Sequence, residues 1–180
     1  MNWFDEVSVN LKKRKQVLFS KNSEFMQDLR MLFEIQNRQV MALWAFDVAS
    51  ESIARLDEKY PGERHPREAL GAARDWASGK IKMRVAQRKI LDCHAFAKEI
   101  ESKEDIAICH SIGQACAVVH TPGHAIGYPM YDLTAIVYRY GLENCQDAVE
   151  YRKQEYVRKL IYWCEHLRDY QGTWADFMLK

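Results

Sequence analysis

Three histidines, His110, His120 and His124, stand in a stretch, residues 109–138, that carries one acidic residue and no Lys or Arg. Imidazoles in such surroundings can bind a metal, move protons or hydrogen-bond helices to one another. His120 and His124 are four residues apart, which on a continuous helix places both rings on one face, the spacing of zinc-binding helices. Between them lie Thr121, Pro122 and Gly123, so there is no glutamate base, and a proline sits where a zinc helix would continue. Further ligands would have to come from Asp47, His94 or His110. For nucleophilic catalysis a thiol needs an adjacent base. Cys109 and His110 are chain neighbours and point about 100° apart on a helix, whereas Cys116 and His120 are one turn apart and could meet. The chain has no nucleophile elbow, Gly-rich phosphate loop or C-x-x-C pair. The residues favour a structural reading over either chemistry: core imidazoles that bond helix carbonyls, Asp47, Glu51 or Gln114. On that reading the expected metal and cofactor content is none.

Asp47 raises the same question from another segment. In "NRQVMALWAFDVASESIARLDEKYPGE", Val40, Leu43, Trp44, Val48 and Ala54 share one helical face, with Asp47 in its middle and Glu51 one turn later. Ala45, Phe46, Ala49 and Ile53 make the opposite side apolar too, so this helix is expected to be central. A carboxylate there must be paired or protonated. Arg64, Arg67 and Arg74, on the helix that Pro66 opens, are candidate partners. The expected polar core cluster is therefore Asp47, Arg67, Arg74, His94, His120 and His124, with Arg or His of another helix bonded to Asp47.

The elements that must position these groups read as helices. Asn22-Ser23-Glu24 is a helix start, followed by a stripe of Phe25, Leu29, Leu32 and Phe33. Met83, Ala86, Ile90, Cys93, Ala97 and Ile100 form another stripe, with His94 on its flank. Residues 104–121 are rich in small side chains, which let neighbouring helices approach, and Pro122-Gly123 must kink or restart that helix. A further helix runs to Tyr140, ended by Gly141. The last spans 142–170, with Leu142, Cys145, Val149, Tyr156, Leu160, Trp163 and Leu167 on one face. Residues 1–20 are ambiguous: "VSVNL" alternates like a strand, while Phe4, Val7, Leu11 and Leu18 are spaced like a helix.

The totals agree with a helical domain. The 180 residues suffice for one domain with a real core, and eight Gly and four Pro leave little material for the many turns of a β fold. A net charge of +1 provides no field to draw in nucleic acid, Lys12-Lys13-Arg14-Lys15 being the one basic run. Five cysteines, odd in number, fit a reducing cytoplasm. The N-terminus has no apolar signal-peptide core. The stretch 106–131, free of Asp, Glu, Lys and Arg, is interrupted throughout by polar residues, Pro and Gly, so a buried helix pair is expected rather than a membrane span. The expected fold is all-α: a single-domain multi-helix bundle over 1–180, of about six to seven helices, with a Pro/Gly-kinked central segment. It divides into an N-terminal extension (1–38), a motif-bearing core (39–140) and a long helix with a tail (141–180).

The motifs W-A-x-D (44–47), R-x-P-R (64–67) and H-T-P-G-H (120–124) occur together in "LWAFDVA", "YPGERHPREALGAARDWASG", "RKILDCHAFAKEI" and "CHSIGQACAVVHTPGHAIGYPMYDLTAIV". In these stretches, a little over half of the chain and in order, it resembles a bacterial putative immunity protein family of the polymorphic-toxin type. The resemblance implies an all-helical domain and a non-enzymatic role in binding a protein, a toxin in the first instance, and it carries over no catalytic residue. A homo-oligomer is the second arrangement to consider, and from charge and hydropathy no nucleic-acid or membrane partner is expected. The resemblance suggests that Asp47, Arg67, His120 and His124 belong to the shared core. The competing expectation is a small metal-dependent or hydrolytic enzyme built on Asp47, His94, His120 and His124.

Overall fold

Wherever the sequence carries a 3.6-residue apolar stripe, the computed structural model, which describes residues 2–180, has a helix. These are α1 (Trp3–Lys12), α2 (Glu24–Glu34), α3 (Arg38–Lys59), α4 (His65–Ala77), α5 (Met83–Phe96), α6 (Lys103–Ala117), α7 (Gly127–Tyr140) and α8 (Gln146–His166). With short 3-10 segments, helix accounts for 77% of the chain, and there is no strand among the described residues. The eight helices exceed the six to seven expected because the ambiguous N-terminal segment is α1. Its buried positions, Trp3, Val7 and Asn10, fall on one helical face, and side-chain packing there overrides the short alternation of "VSVNL".

Helix ends follow local chemistry. Asn37 caps α3 by accepting from the Val40 N–H at 2.8 Å, and Ser102 caps α6 by accepting from Asp105 at 3.2 Å. Pro66 occupies the first turn of α4. Gly141, at φ +77°, ends α7 in a conformation that side chains resist.

The charge-poor helix α6 is central, packed against α3, α4, α5 and α7. Ala107, Ser111, Gly113, Ala115 and Cys116 are all buried on it, and their small size permits that many close neighbours. α3 is also surrounded, as its apolar residues on every side require: twelve of its residues are buried, among them Trp44, Phe46 and Ile53. One hydrophobic core runs through the molecule and includes Trp3, Phe19 and Met26, so the N-terminal segment packs on the same core as the rest.

α6 does not kink at Pro122; it ends at Ala117, and a 3-10 segment, Pro122–Ile126, leads into α7. Thr121 is extended, φ −136° and ψ 106°, because the ring of a following proline disfavours the helical region. The backbone released there is met by Arg38. Its guanidinium donates to the His120 carbonyl at 2.7 Å and, from its other terminal nitrogen, to the Phe177 carbonyl at 2.9 Å. The C-terminal tail, whose 3-10 segment Asp176–Leu179 buries Met178, is thereby fastened beside the turn.

Close approach of α5 and α6 depends on Gly113. A Cβ at that position would overlap the His94 ring, which is itself held by His110. Gly113→Ala is therefore expected to lower stability by about 1–2 kcal/mol in urea titration, the overpacking cost exceeding the helix propensity gained. Gly127→Ala is the control: its Cβ meets only the amide end of Gln114, a flexible group that can swing aside, so little change is expected. Equal effects at the two sites would refute the argument.

Candidate functional site

The six residues expected to share one polar core cluster are placed apart, and none is hydrogen-bonded to another of the six. Asp47 is a quarter exposed, not fully buried, and its partners are on α8: Lys159 at 2.9 Å and the Trp163 indole N–H at 3.0 Å. The partner expected was Arg or His; a lysine takes the place because α8 lies against this face of α3. Arg67 is exposed and paired with Asp57 at 2.7 Å. Arg74, also exposed, donates to Ser50 at 3.3 Å and lies over the Phe46 ring. Arg67 and Arg74 line one shallow cavity of about 270 Å³.

His120 and His124 are exposed, because the Pro-Gly turn carries them to the surface where its unpaired backbone can reach water. The His120 ring stacks on Trp76, and the buried Cys116 has no bond to it. Burial pushes the Cys116 thiol up to about 12, against a smaller opposing effect of Arg74, so it stays protonated at neutral pH and is no nucleophile. Among the described residues no group of three His, Cys, Asp or Glu side chains could hold a metal ion.

His94 does meet a second imidazole, that of His110, at 2.8 Å between their Nδ1 atoms. Gln16 Nε2 lies 2.9 Å from His110 Nε2. An amide N–H can only donate, so His110 accepts there, carries its own proton on Nδ1 and donates it to His94. Burial, with His110 adding to it, pushes His94 down to about 4; burial also lowers His110. Both rings are then neutral at pH 7. Beneath them Cys93 and Cys109 face each other with 4.0 Å between sulfurs, and Cys109 donates to the Cys93 carbonyl at 3.0 Å. This ladder joins α5 to α6, and through Gln16 it holds the segment that follows α1.

The buried ionic centre lies elsewhere. Asp132 of α7, fully buried, accepts from Arg152 Nε of α8 at 2.7 Å and from the Tyr156 hydroxyl at 2.6 Å, with Arg55 of α3 at 3.3 Å. Arg152 also bonds Glu51 at 2.9 Å, Glu155 at 3.2 Å and the Tyr128 hydroxyl at 3.1 Å. Tyr128 in turn donates to the Val48 carbonyl and meets Ser52. Burial alone would raise the Asp132 carboxyl; the positive charges of Arg152 and Arg55 and the bonds from Tyr156 and Arg152 outweigh it and hold it below the ordinary carboxylate range. Each nitrogen of the Arg152 guanidinium has a partner, so this network ties α3, α7 and α8 together as a structural centre. Two sequence signals mark it: Asp132 is the single acidic residue of 109–138, and Arg152 falls on the buried stripe of Val149, Tyr156 and Leu160.

Two cavities flank the H-T-P-G-H turn. One, of about 440 Å³, lies between the turn and α2, lined by Lys21, Arg30, Phe33, Gln36, Pro122 and Ile126 among others. The second, of about 430 Å³, lies on the other side, toward Val17, Gln114, His124, Met130 and Tyr131. Neither contains a nucleophile–base pair. Their walls mix apolar side chains, Phe33, Ile126, Val17, Met130 and Tyr131, with charged and polar ones, among them Lys21, Arg30, Glu34 and Gln114.

No curated protein and no solved structure matches the chain. Residues 31–159, from the second half of α2 into α8, match a family model described as Imm-5 like putative immunity protein. That span takes in the central helices, the turn between α6 and α7 and the Asp132–Arg152 network, well over half of the molecule, and the chain belongs to the Imm-5 like putative immunity protein family.

Proposed function

We propose that this protein is a non-enzymatic binding module that neutralises a toxin by occupying it. The observation that carries the reading is the family match across 31–159. The geometry supports it. The candidate catalytic residues are dispersed, the buried Asp132–Arg152 network is internally satisfied, and the cavities beside the turn are open surfaces without paired reactive groups. Cytoplasmic action is part of the proposal; the five cysteines are all free, and no helix among the described residues is long and apolar enough to cross a membrane.

The test is growth of a bacterial host expressing a candidate toxin taken from the genes that neighbour this one, with and without this protein. Rescue of growth, together with copurification of the two proteins in fixed ratio, is the expected result. A toxin that kills equally in both cultures and does not copurify would overturn the reading.

A further inference from the structure

The two cavities beside the turn share Lys21, Gly123 and Ile126, so they form one trough that passes over Pro122–Ile126. Its apolar lining comes from Phe33, Ile126, Val17, Met130 and Tyr131, beside the Arg30–Glu34 ion pair. Val17, Lys21 and Asn22, of the segment between α1 and α2, also line it, and that segment is rich in cations. Residues 7–23 contain five cations, Lys12, Lys13, Arg14, Lys15 and Lys21, and no Asp or Glu. All five are exposed, and among the described residues none lies within ion-pair distance of a carboxylate. Lys59, Lys89, Lys153 and Lys159, in contrast, each engage one. The molecule's net charge is only +1, so this run of cations is offset by acids elsewhere in the chain.

The same segment is held firmly. Asn10 donates to the Leu18 carbonyl at 2.8 Å, the Leu18 N–H to Thr134 at 3.0 Å, and the Ser20 N–H to Glu6 at 2.9 Å. Gln16 is tied to His110, and Leu18 and Phe19 are buried. A fixed backbone that presents unneutralised cations beside an apolar trough loses little entropy on binding an anion-bearing partner. It also lies outside 31–159, on a part of the chain that the family match does not describe, which suits a surface that sets which partner is taken.

Resting on the binding role proposed above, we infer that this trough receives an acidic polypeptide segment of the partner. An apolar side chain of that segment sits over Phe33 and Ile126 while its carboxylates face Lys12–Lys15 and Lys21. Charge complementarity steers the encounter and apolar burial holds the complex. A protein segment fits better than nucleic acid, because the trough offers apolar side chains and a carboxylate, Glu34, in its lining, and the five cations belong to one short segment of the chain rather than a long face.

The probe is a fluorescein-labelled decapeptide of alternating glutamate and leucine, titrated by anisotropy against the full chain, with a 20-base-pair DNA duplex in parallel. Binding of the peptide should weaken about tenfold or more between about 50 and about 250 mM salt. It should weaken about tenfold or more in Lys13→Glu/Lys15→Glu, and stay unchanged in Arg158→Glu/Arg168→Glu, an equal charge change on α8 and the turn after it. Unaltered melting of both variants separates lost binding from lost folding. Absence of peptide binding, indifference to the trough reversal, or tighter binding of the duplex would each overturn the inference. The growth assay separates the two levels. If the wild type and Lys13→Glu/Lys15→Glu protect equally, the binding role stands and the trough assignment falls. If the wild type does not protect, the binding role falls, and the peptide titration still decides the trough.

Discussion

Asp132→Ala is expected to remove about 3–5 kcal/mol of folding stability, the range found when one partner is stripped from a buried ion pair. The loss has three parts. Arg152, almost wholly buried, keeps Glu51 and Glu155 but loses its best-placed counterion; the buried Tyr156 hydroxyl loses its acceptor; and Arg55 loses its only ion-pair partner among the described residues. In a domain of this size that corresponds to a fall in Tm of about 10 °C. The double variant Asp132→Leu/Arg152→Met should recover much of the loss, because replacing both charges removes the desolvation cost along with the attraction. A single mutant that melts within a degree or two of the wild type would show that the network contributes nothing to stability.

Acidification from pH 7 to pH 4 is expected to destabilise the protein through His94. Its folded value is near 4, whereas in the unfolded chain it takes the ordinary histidine value near 6.5. The unfolded state therefore binds the proton first. The contribution is fully present above about pH 6.5, is lost progressively as pH falls, and is exhausted near pH 4, for a total on the order of 3 kcal/mol. The geometry explains the direction: a proton added to His94 Nδ1 would confront the N–H that His110 donates to that atom. Asp132, whose carboxyl is held low, retains its contribution above about pH 4 and loses it only in stronger acid. Urea midpoints of the wild type and His94→Leu at several pH values provide the check. The wild type should lose about 2–3 kcal/mol more than the variant between pH 7 and pH 4. Parallel curves would exclude His94 as the source.

Helices were legible in the sequence because each buries a stripe, and stripes such as Ala86, Ile90 and Cys93 in α5 survive intact in the structure. The centrality of α3 and α6 could be read as well, one from apolar residues on every side and the other from its small side chains. What misled was the equation of low charge with burial. The stretch 109–138 is nearly uncharged along its whole length, yet Thr121, Gly123 and His124 are exposed where the chain must turn. A hydropathy pattern records what a segment can bury, whereas a turn's need for water depends on backbone bonds that it does not record. The ionic centre escaped for the opposite reason. Arg152 lies among the many charges of α8 and can be told from them only by its place on the stripe, and its partner Asp132 is twenty residues away on a different helix. Pairing between helices is a property of their packing, which a single sequence does not specify. The same holds for Arg38, whose two carbonyl acceptors lie 82 and 139 residues further along the chain.

Arg38 has a consequence for communication across the molecule. One guanidinium holds the His120 carbonyl at the turn and the Phe177 carbonyl in the tail, and Trp76 lies against both the His120 and the Phe177 rings. Turn and tail therefore share an anchor, so loosening one is expected to loosen the other. By thermodynamic reciprocity, a ligand that favours the docked turn by some factor favours the docked tail by the same factor, and a detached tail weakens the ligand equally. Removing the carboxyl-terminal segment is thus expected to bias the trough from a distance, through Arg38, which lines neither cavity.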